Sequence, residues 1–547
     1  MRTGGELLVA ALEAQGVDRI FCVPGESYLA VLDAFHDSPI QTVVARQEGG
    51  AAMMAEADGK LTGRPGICFV TRGPGATNAA SGVHVAQQDS TPMVLFIGQI
   101  GRRMTGRDAF QEVDYRQMFG GMAKWVAEID HADRVPEVAS HAFHVALAGR
   151  PGPVVVSLPE DMLRDRAEAV IGAQAEAGVS APDTASVAHV EAALRAAKRP
   201  FVVAGGSRWD EDSVAGLKAF AERWNLPVGC SFRRQHLFDT EHPNYAGDVG
   251  LGINPALKDA IAASDCLILL GARFSENSSQ GFSLLPMPEP DRALVHVHPG
   301  PEELGRIYRP SIPINATPGA FLAAMASTSP LGTPHWAGQA SQFHAAYLNW
   351  STPPKAPTTG VDMGAVMLHL RAHLPDDAIM TNGAGNYAIW LHRFHRYRQF
   401  GTQVAPTSGS MGYGLPAGVA SALRHPDRTV VTFAGDGCFQ MTGQELTTAV
   451  QYGLKLIVLV VDNGGYGTIR MHQERDYPNR ISGTELVNPD FAALARACGA
   501  AGFTVSRTDD FPAAFEAGRA TDGPALIHIR TDMDTIAPGR TLADLRG

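Results

Sequence analysis

Short apolar runs alternate with helical periodicities along most of this chain. Residues 429–434 form an apolar run of strand length, and 456–461 form a second, rich in β-branched residues. Bounded runs of this kind predict buried parallel strands. Between them, 444–452 follow a helical pattern closed by Gly453, where a helix end favours glycine. Strands are also predicted at 19–23, 42–45, 67–71, 92–98 and 154–158, and again at 200–204, 266–271 and 293–298. Two stretches break the alternation. Residues 170–190 are small, polar and aperiodic, and 331–358 include Thr352-Pro353-Pro354, so both read as linkers. The pattern predicts an α/β protein of three domains, 1–170, 190–330 and 358–547, each a doubly wound parallel sheet.

Composition narrows the class. A chain of 547 residues suits about three domains of ordinary size. Hydrophobic residues make up 45% and charged residues 18%, enough for packed cores. The net charge of −11 and the lack of a basic run argue against a nucleic-acid partner. The six cysteines show no metal-site or disulfide spacing, and five sit in apolar or small-residue stretches, as buried thiols do. Residues 1–17 are a helical pattern containing Glu6 and Glu13 rather than a signal peptide, and no run of eighteen apolar residues occurs. The expectation is a cytoplasmic enzyme with no membrane partner.

The candidate chemistry starts at the ends of the two strands first described. Gly435-Asp436-Gly437 follows one as a tight turn, and Asp462-Asn463-Gly464-Gly465 follows the other, with Asn463 27 positions after Asp436. Ligands of open α/β sheets bind at these carboxyl ends. One carboxylate and one amide oxygen are few ligands for a cation, which suits Mg²⁺ completed by waters and substrate phosphate. Gly435 and Gly437 admit a phosphate close to the backbone, beside a helix N-terminus that favours its charge.

Gly-Asp-Gly, then about thirty residues, then Asn in an N-G-G-Y-G turn resembles the thiamine-diphosphate motif. The family has two adjacent asparagines where this chain has Asp462-Asn463. The resemblance implies Mg²⁺ held by Asp436, Asn463 and the Gly465 carbonyl, beside Cys438, Tyr466, Gly467 and Thr468. Residues 380–386 (MTNGAGN) and Tyr387 resemble the first diphosphate loop, through Gly385, Asn386 and Tyr387. Residues 407–416 resemble the loop under the bent cofactor, with Gly409, Ser410 and Met411, the last as the apolar wedge between its rings.

In the N-terminal third, Arg46-Gln47-Glu48 opens a segment that resembles the family's pyrimidine-binding segment, with Glu48 at its catalytic glutamate. That glutamate and the metal motif come from different subunits in the family, which implies a homodimer or homotetramer with active sites at the interface. Residues 70–99 and 106–114 resemble acetolactate synthase, with Phe110 and Gln111 near cofactor and substrate. The resemblance covers nearly the whole chain. It implies three domains (pyrimidine-binding, central and diphosphate-binding) and decarboxylation of a 2-keto acid with carboligation to a second carbonyl. A non-ligating decarboxylase or lyase is the alternative, and a non-catalytic cofactor-binding protein is the rival from another class.

Three positions depart from the synthase pattern. Glu26 stands in Pro24-Gly25-Glu26 where the synthases have Gly, and is a candidate proton donor. Arg72 replaces a Ser, and either holds a substrate carboxylate or pairs with Glu26 or Glu48. His472 replaces a Trp and is placed, with Arg470, at the pocket mouth. The central domain holds FAD in acetolactate synthase, ADP in some relatives and nothing in others. Arg273 matches the synthase pattern, but His296-Val297-His298 replaces the usual acidic residue. Alternation along that strand predicts one exposed face.

Overall fold

A computed structural model describes residues 1–354 and 360–546. Positions 355–358 of the second predicted linker, and the domain boundary at 358, lie outside the described residues. The N-terminal region contributes β1 (Arg2–Thr3), β2 (Arg19–Cys22), β3 (Gln41–Val44), β4 (Gly66–Val70), β5 (Met93–Gln99), β6 (Trp125–Glu128), β7 (Pro153–Pro159) and β8 (Arg166–Ala167). β2 to β7 form a parallel sheet in the order β3-β2-β4-β5-β7-β6, and β1 pairs antiparallel with β8.

The central sheet holds β9 (Pro200–Ala204), β10 (Val228–Ser231), β11 (Tyr245–Val249), β12 (Cys266–Leu270), β13 (Ala293–His298) and β14 (Ile312–Asn315), ordered β11-β10-β9-β12-β13-β14. The C-terminal sheet holds β15 (Ile379–Asn382), β16 (Gln403–Val404), β17 (Val430–Gly435), β18 (Ile457–Asp462), β19 (Ala501–Val505) and β20 (Ala525–Arg530). Its order, β16-β15-β17-β18-β20-β19, repeats the winding of the first sheet. All three are parallel, six-stranded and covered by helices, so strands such as β18 are buried on both faces and read as continuous apolar runs. The winding reverses between β2 and β4, between β9 and β12, and between β15 and β17. Those reversals are the ligand crevices of such sheets.

Several elements differ from the sequence reading. β6, β10, β11, β14, β15, β16, β19 and β20 lie where no strand was predicted, and β15 takes in the start of the segment 380–386 read as a loop. The helix Thr184–Ala196 begins inside the first predicted linker, with Asp183 capping the Ser186 N–H at 2.6 Å. The helix Gln339–Trp350 occupies the second linker and buries Tyr347 against Tyr245 of the central sheet. Gly435-Asp436-Gly437 is less a turn than the first turn of the helix Asp436–Gln440. His296 and His298 are both buried, because helices cover the faces of β13 and leave no exposed side.

The N- and C-terminal domains share one core. The helix Glu48–Thr62 packs Ala51, Ala52 and Ala55 in the same cluster as Leu415, Ala417 and Val419 of the helix Gly414–Arg424. Arg424 reaches Asp58 at 2.8 Å and Asp18 at 2.7 Å. Asp89 is fully shielded where three domains meet. Lys60 approaches it at 2.5 Å, the Thr407 N–H donates to it at 2.7 Å, and Arg234 donates to its main-chain carbonyl at 3.2 Å. Five of the six cysteines are buried, and all six are free thiols. Among the described residues, no helix is long and apolar enough to cross a membrane.

Candidate active site

The carboxyl ends of β15 and β17 open into a cavity of about 280 Å³. Its wall includes Gly385, Asn386 and Tyr387 from one side and Gly435, Asp436, Gly437 and Cys438 from the other. Asn463, Gly465, Tyr466, Gly467 and Thr468 close the third side, with Gly409 and Met411 above. Asp436 and Asn463 converge on one amide: the Gly465 N–H donates to Asp436 Oδ2 at 3.0 Å and to Asn463 Oδ1 at 3.3 Å. The three expected metal ligands therefore lie together. Ser410 is not in the wall; its hydroxyl donates to the Met411 carbonyl at 3.2 Å.

This site fits a divalent cation and a diphosphate. Burial pushes the Asp436 carboxyl up to about 6, with Asp462 adding to the rise, against hydrogen bonds from Gly437, Asn488 and Gly465. A cation bound beside this carboxylate would favour its ionised form. The backbone approaches tightly: a Cβ on Gly437 would fall 2.7 Å from the Tyr466 ring, and one on Gly435 2.9 Å from Tyr387. Thr468 Oγ1 accepts the Asn386 N–H at 3.0 Å and donates to Asn386 Oδ1 at 2.9 Å, locking two walls together.

Asp462, where the family has Asn, carries its own compensation. Burial raises its pKa, but hydrogen bonds from His528 (2.8 Å), the Gly464 N–H (3.0 Å) and Asn488 (2.8 Å) outweigh that and hold it below the usual carboxylate range. Asn488 also donates to Asp436 at 2.7 Å, so one amide bridges both acids. The sequence reading missed Asn488 and His528. Neither sits in a motif, and only the fold returns them to the crevice.

A second cluster occupies the switch point between β2 and β4. Asn78 Nδ2 donates to Glu48 Oε2 at 2.9 Å, and Gly75 packs against the same carboxylate. Gln111, at φ 65°, lies against Gly73, and Phe110 beside it is 75% exposed. Arg72 is buried and pairs with Glu26 at 2.8 Å and Glu160 at 3.3 Å, so the pairing reading describes its side chain, with Glu160 as an unforeseen partner. None of these residues lines the cavity formed by the C-terminal domain of the same chain. His472 is also outside it. It is exposed one turn beyond Thr468 on the helix Gly467–Asp476, and Arg470 is paired with Glu474 at 3.0 Å.

Glu445 was also missed. It lies on the helix Glu445–Gln451, and its carboxylate accepts the main-chain N–H groups of Arg46 (3.1 Å) and Gln47 (3.0 Å). It thereby holds the segment that presents Glu48 from the neighbouring domain.

Three family models match this chain. The N-terminal TPP-binding domain of thiamine pyrophosphate enzymes covers residues 2–118, the central domain 187–325, and the C-terminal TPP-binding domain 383–529. The chain belongs to the thiamine pyrophosphate enzyme family. It is similar to the acetolactate synthase isozyme 2 large subunit of Escherichia coli (strain K12), at 30% identity over 532 residues, covering 97% of this chain and 95% of that one. It is also similar to the acetolactate synthase large subunit of Parasynechococcus marenigrum (31% identity, 100% and 91% covered). The probable acetolactate synthase large subunit of Methanocaldococcus jannaschii is 29% identical, with 99% and 95% covered.

Proposed function

We propose that this protein decarboxylates a 2-keto acid in a reaction dependent on thiamine diphosphate and Mg²⁺, and joins the resulting fragment to a second carbonyl as an acetolactate synthase does. The carrying observation is the convergence of Asp436, Asn463 and Gly465 at one switch point, in a chain that aligns end to end with acetolactate synthase large subunits.

When bound, thiamine diphosphate supplies the nucleophilic carbon that decarboxylation requires. Asp436, Asn463 and the Gly465 carbonyl hold the Mg²⁺. Asn386, Tyr387, Gly437, Cys438, Tyr466 and Thr468 enclose the diphosphate, and Met411 gives the cavity its apolar shelf. Glu48 supplies a carboxylate for proton movement, and its hydrogen bond from Asn78 fixes one oxygen and leaves the other to act. Gln111 and Phe110 flank the substrate side.

In one chain the Glu48 cluster and the cavity are apart. We take the working unit to be a homodimer or homotetramer in which the cluster of one copy closes the cavity of another; the 75% exposure of Phe110 supports this. Glu26, 67% exposed at the switch point, favours a second reading, in which it protonates the fragment and an aldehyde leaves. Product analysis by mass spectrometry, with pyruvate, thiamine diphosphate and Mg²⁺, separates the two. Acetolactate is the expected product. Acetaldehyde without acetolactate would overturn the ligase reading.

A further inference from the structure

Met411, the apolar shelf of the cavity, stands on a short loop that the central domain reaches. Residues 406–409 close a β-turn, in which the Gly409 N–H donates to the Pro406 carbonyl at 3.2 Å and Gly409 takes φ 67°. Gly409 and Met411 then enter the cavity wall. Downstream, the Gly412 N–H donates to Cys438 Sγ at 3.2 Å, and Thr442 Oγ1 donates to the Gly412 carbonyl at 2.6 Å. Upstream, Lys60 donates to the Ala405 carbonyl at 3.2 Å and the Thr407 N–H to Asp89 at 2.7 Å. The N-terminal domain thus holds the residue on either side of Pro406.

The Pro406 carbonyl takes a second donor, Arg233 Nη1 at 2.5 Å, from the central domain. The atom that closes the turn is therefore the atom that Arg233 pins. Arg233 follows β10 closely and takes φ 59°, a left-handed conformation that persists in a residue with a side chain only where its surroundings impose it. The preceding Phe232 is fixed by its N–H to Ser278 Oγ at 3.3 Å, and the Arg233 guanidinium lies 4.9 Å from the centroid of the Phe232 ring.

Arg233 is 4% exposed, and its Nε is buried without a hydrogen-bond partner. Among the described residues, the Pro406 carbonyl is the one hydrogen-bond acceptor of its side chain. Burying a cation is unfavourable unless its donors are used, and a charged donor binds a carbonyl more strongly than a neutral one. The guanidinium spends that strength on a single atom of the turn beneath Met411. Arg233 itself is not in the cavity wall.

We infer that Arg233 is a positioning residue of the active site: through the Pro406 carbonyl it fixes the turn that sets Gly409 and Met411 against the cofactor. The inference rests on the thiamine diphosphate reading, and not on whether the product is ligated. The central domain then takes part in the chemistry without touching the cofactor.

The test uses full-length Arg233→Met, and Arg233→Lys, which keeps a charged donor. Amide hydrogen exchange of peptides spanning 405–412, read by mass spectrometry in protein without cofactor, is expected to rise in Arg233→Met. With thiamine diphosphate and Mg²⁺ bound, exchange of the proton on the cofactor's reactive carbon, read by NMR after acid quench, is expected to slow about tenfold, because small misplacements of a positioned group cost rate. The calorimetric Kd of thiamine diphosphate is expected to stay close to native, since Asp436 and Asn463 are untouched, and Arg233→Lys to fall between the two. A side chain that only ties domains together would lower Tm and leave proton exchange native. A native proton-exchange rate in folded Arg233→Met would overturn the inference, as would a loss of affinity as large as the loss of rate. Should Arg233→Met not fold, Arg233→Lys decides: slower proton exchange at unchanged Kd supports the inference, and a native rate overturns it. If the unaltered protein binds no thiamine diphosphate, the proposed function falls and the inference with it.

Discussion

Arg72 Nη2 lies 2.8 Å from Glu26 Oε1, across the reversal between β2 and β4. Glu160 holds the same guanidinium from the other side at 3.3 Å. The two departures from the synthase pattern in this crevice are thus one feature. Arg72→Ser releases two carboxylates at once and lowers kcat/KM about tenfold, or ~1.4 kcal/mol. Adding Glu26→Gly restores part of that loss, because residues in direct contact are energetically coupled. Steady-state kinetics of the two single variants and the double variant give the coupling. Strict additivity would mean the pair does not act as a unit.

Asp436→Ala removes the one carboxylate of the expected metal set. Thiamine diphosphate with Mg²⁺ at about 100 times its Kd stabilises a folded protein by ~2.7 kcal/mol. The variant shows none of that gain, and a metal chelator abolishes it in the unaltered protein. Thermal unfolding with and without the ligands reads both effects. A normal ligand-induced rise in Tm for the variant would exclude Asp436 as a ligand.

Glu445→Ala orphans the Arg46 and Gln47 N–H groups at a domain boundary. Each buried unsatisfied group costs about 1–3 kcal/mol, so the two together cost roughly 2–6 kcal/mol. Glu445→Gln keeps an acceptor oxygen and loses less. Urea unfolding of the two variants ranks them, and equal losses would show that the acceptor oxygen is unimportant.

The hydrogen bond from Arg424 holds the Asp18 carboxyl down at about 2. A carboxylate with a depressed folded-state pKa adds stability above its unfolded value, near 4, and that stability is lost as the pH falls toward the folded value. Asp18 is 54% exposed, so the contribution is at most ~1 kcal/mol. Asp18→Asn is therefore slightly less stable at neutral pH, and the difference closes between about pH 4 and pH 2. Unfolding curves across that range test the sign. A gap that widens on acidification would contradict it.

If the Glu48 cluster of one copy serves the cavity of another, two inactive variants repair each other. Dissociated and reassociated mixtures of Glu48→Gln and Asp436→Ala recover up to about a quarter of the native sites, because half of the random dimers carry one intact pair. Activity that stays at the level of the separate variants would place both halves of the site within one chain.

The diphosphate side of the site was legible because its chemistry is local. Gly435–Asp436 and Asn463–Gly465 each follow an apolar run, so strand and ligand are read together. Most of the unread strands are short or chemically mixed; β20, six residues long and largely apolar, was readable and was passed over. β6 is four residues at a sheet edge, β11 contains Gly and Asp, and β14 carries Pro313, which an edge position tolerates. Asn488, His528 and Glu445 act across 26 to 399 positions of chain, and no spacing rule reaches that far. Arg72 was legible as a charged departure, but its second partner, Glu160, was not. His296 and His298 misled because alternation signals an exposed face only in a sheet that has one.

Asp89 gives the three-domain description a limit. Its carboxylate sits in a dry interior, and its neighbours Lys60, Arg234 and Thr407 come from three separate sheets' domains. An excised N-terminal domain would keep the Lys60 contact but expose the charge to water, and the other two fragments would each lose an anchor. Sequence pattern divides this molecule into thirds, whereas its autonomy as a material object is indivisible at that junction. A third swapped in from a relative must bring its own matching member of this set, or the buried charge loses a partner.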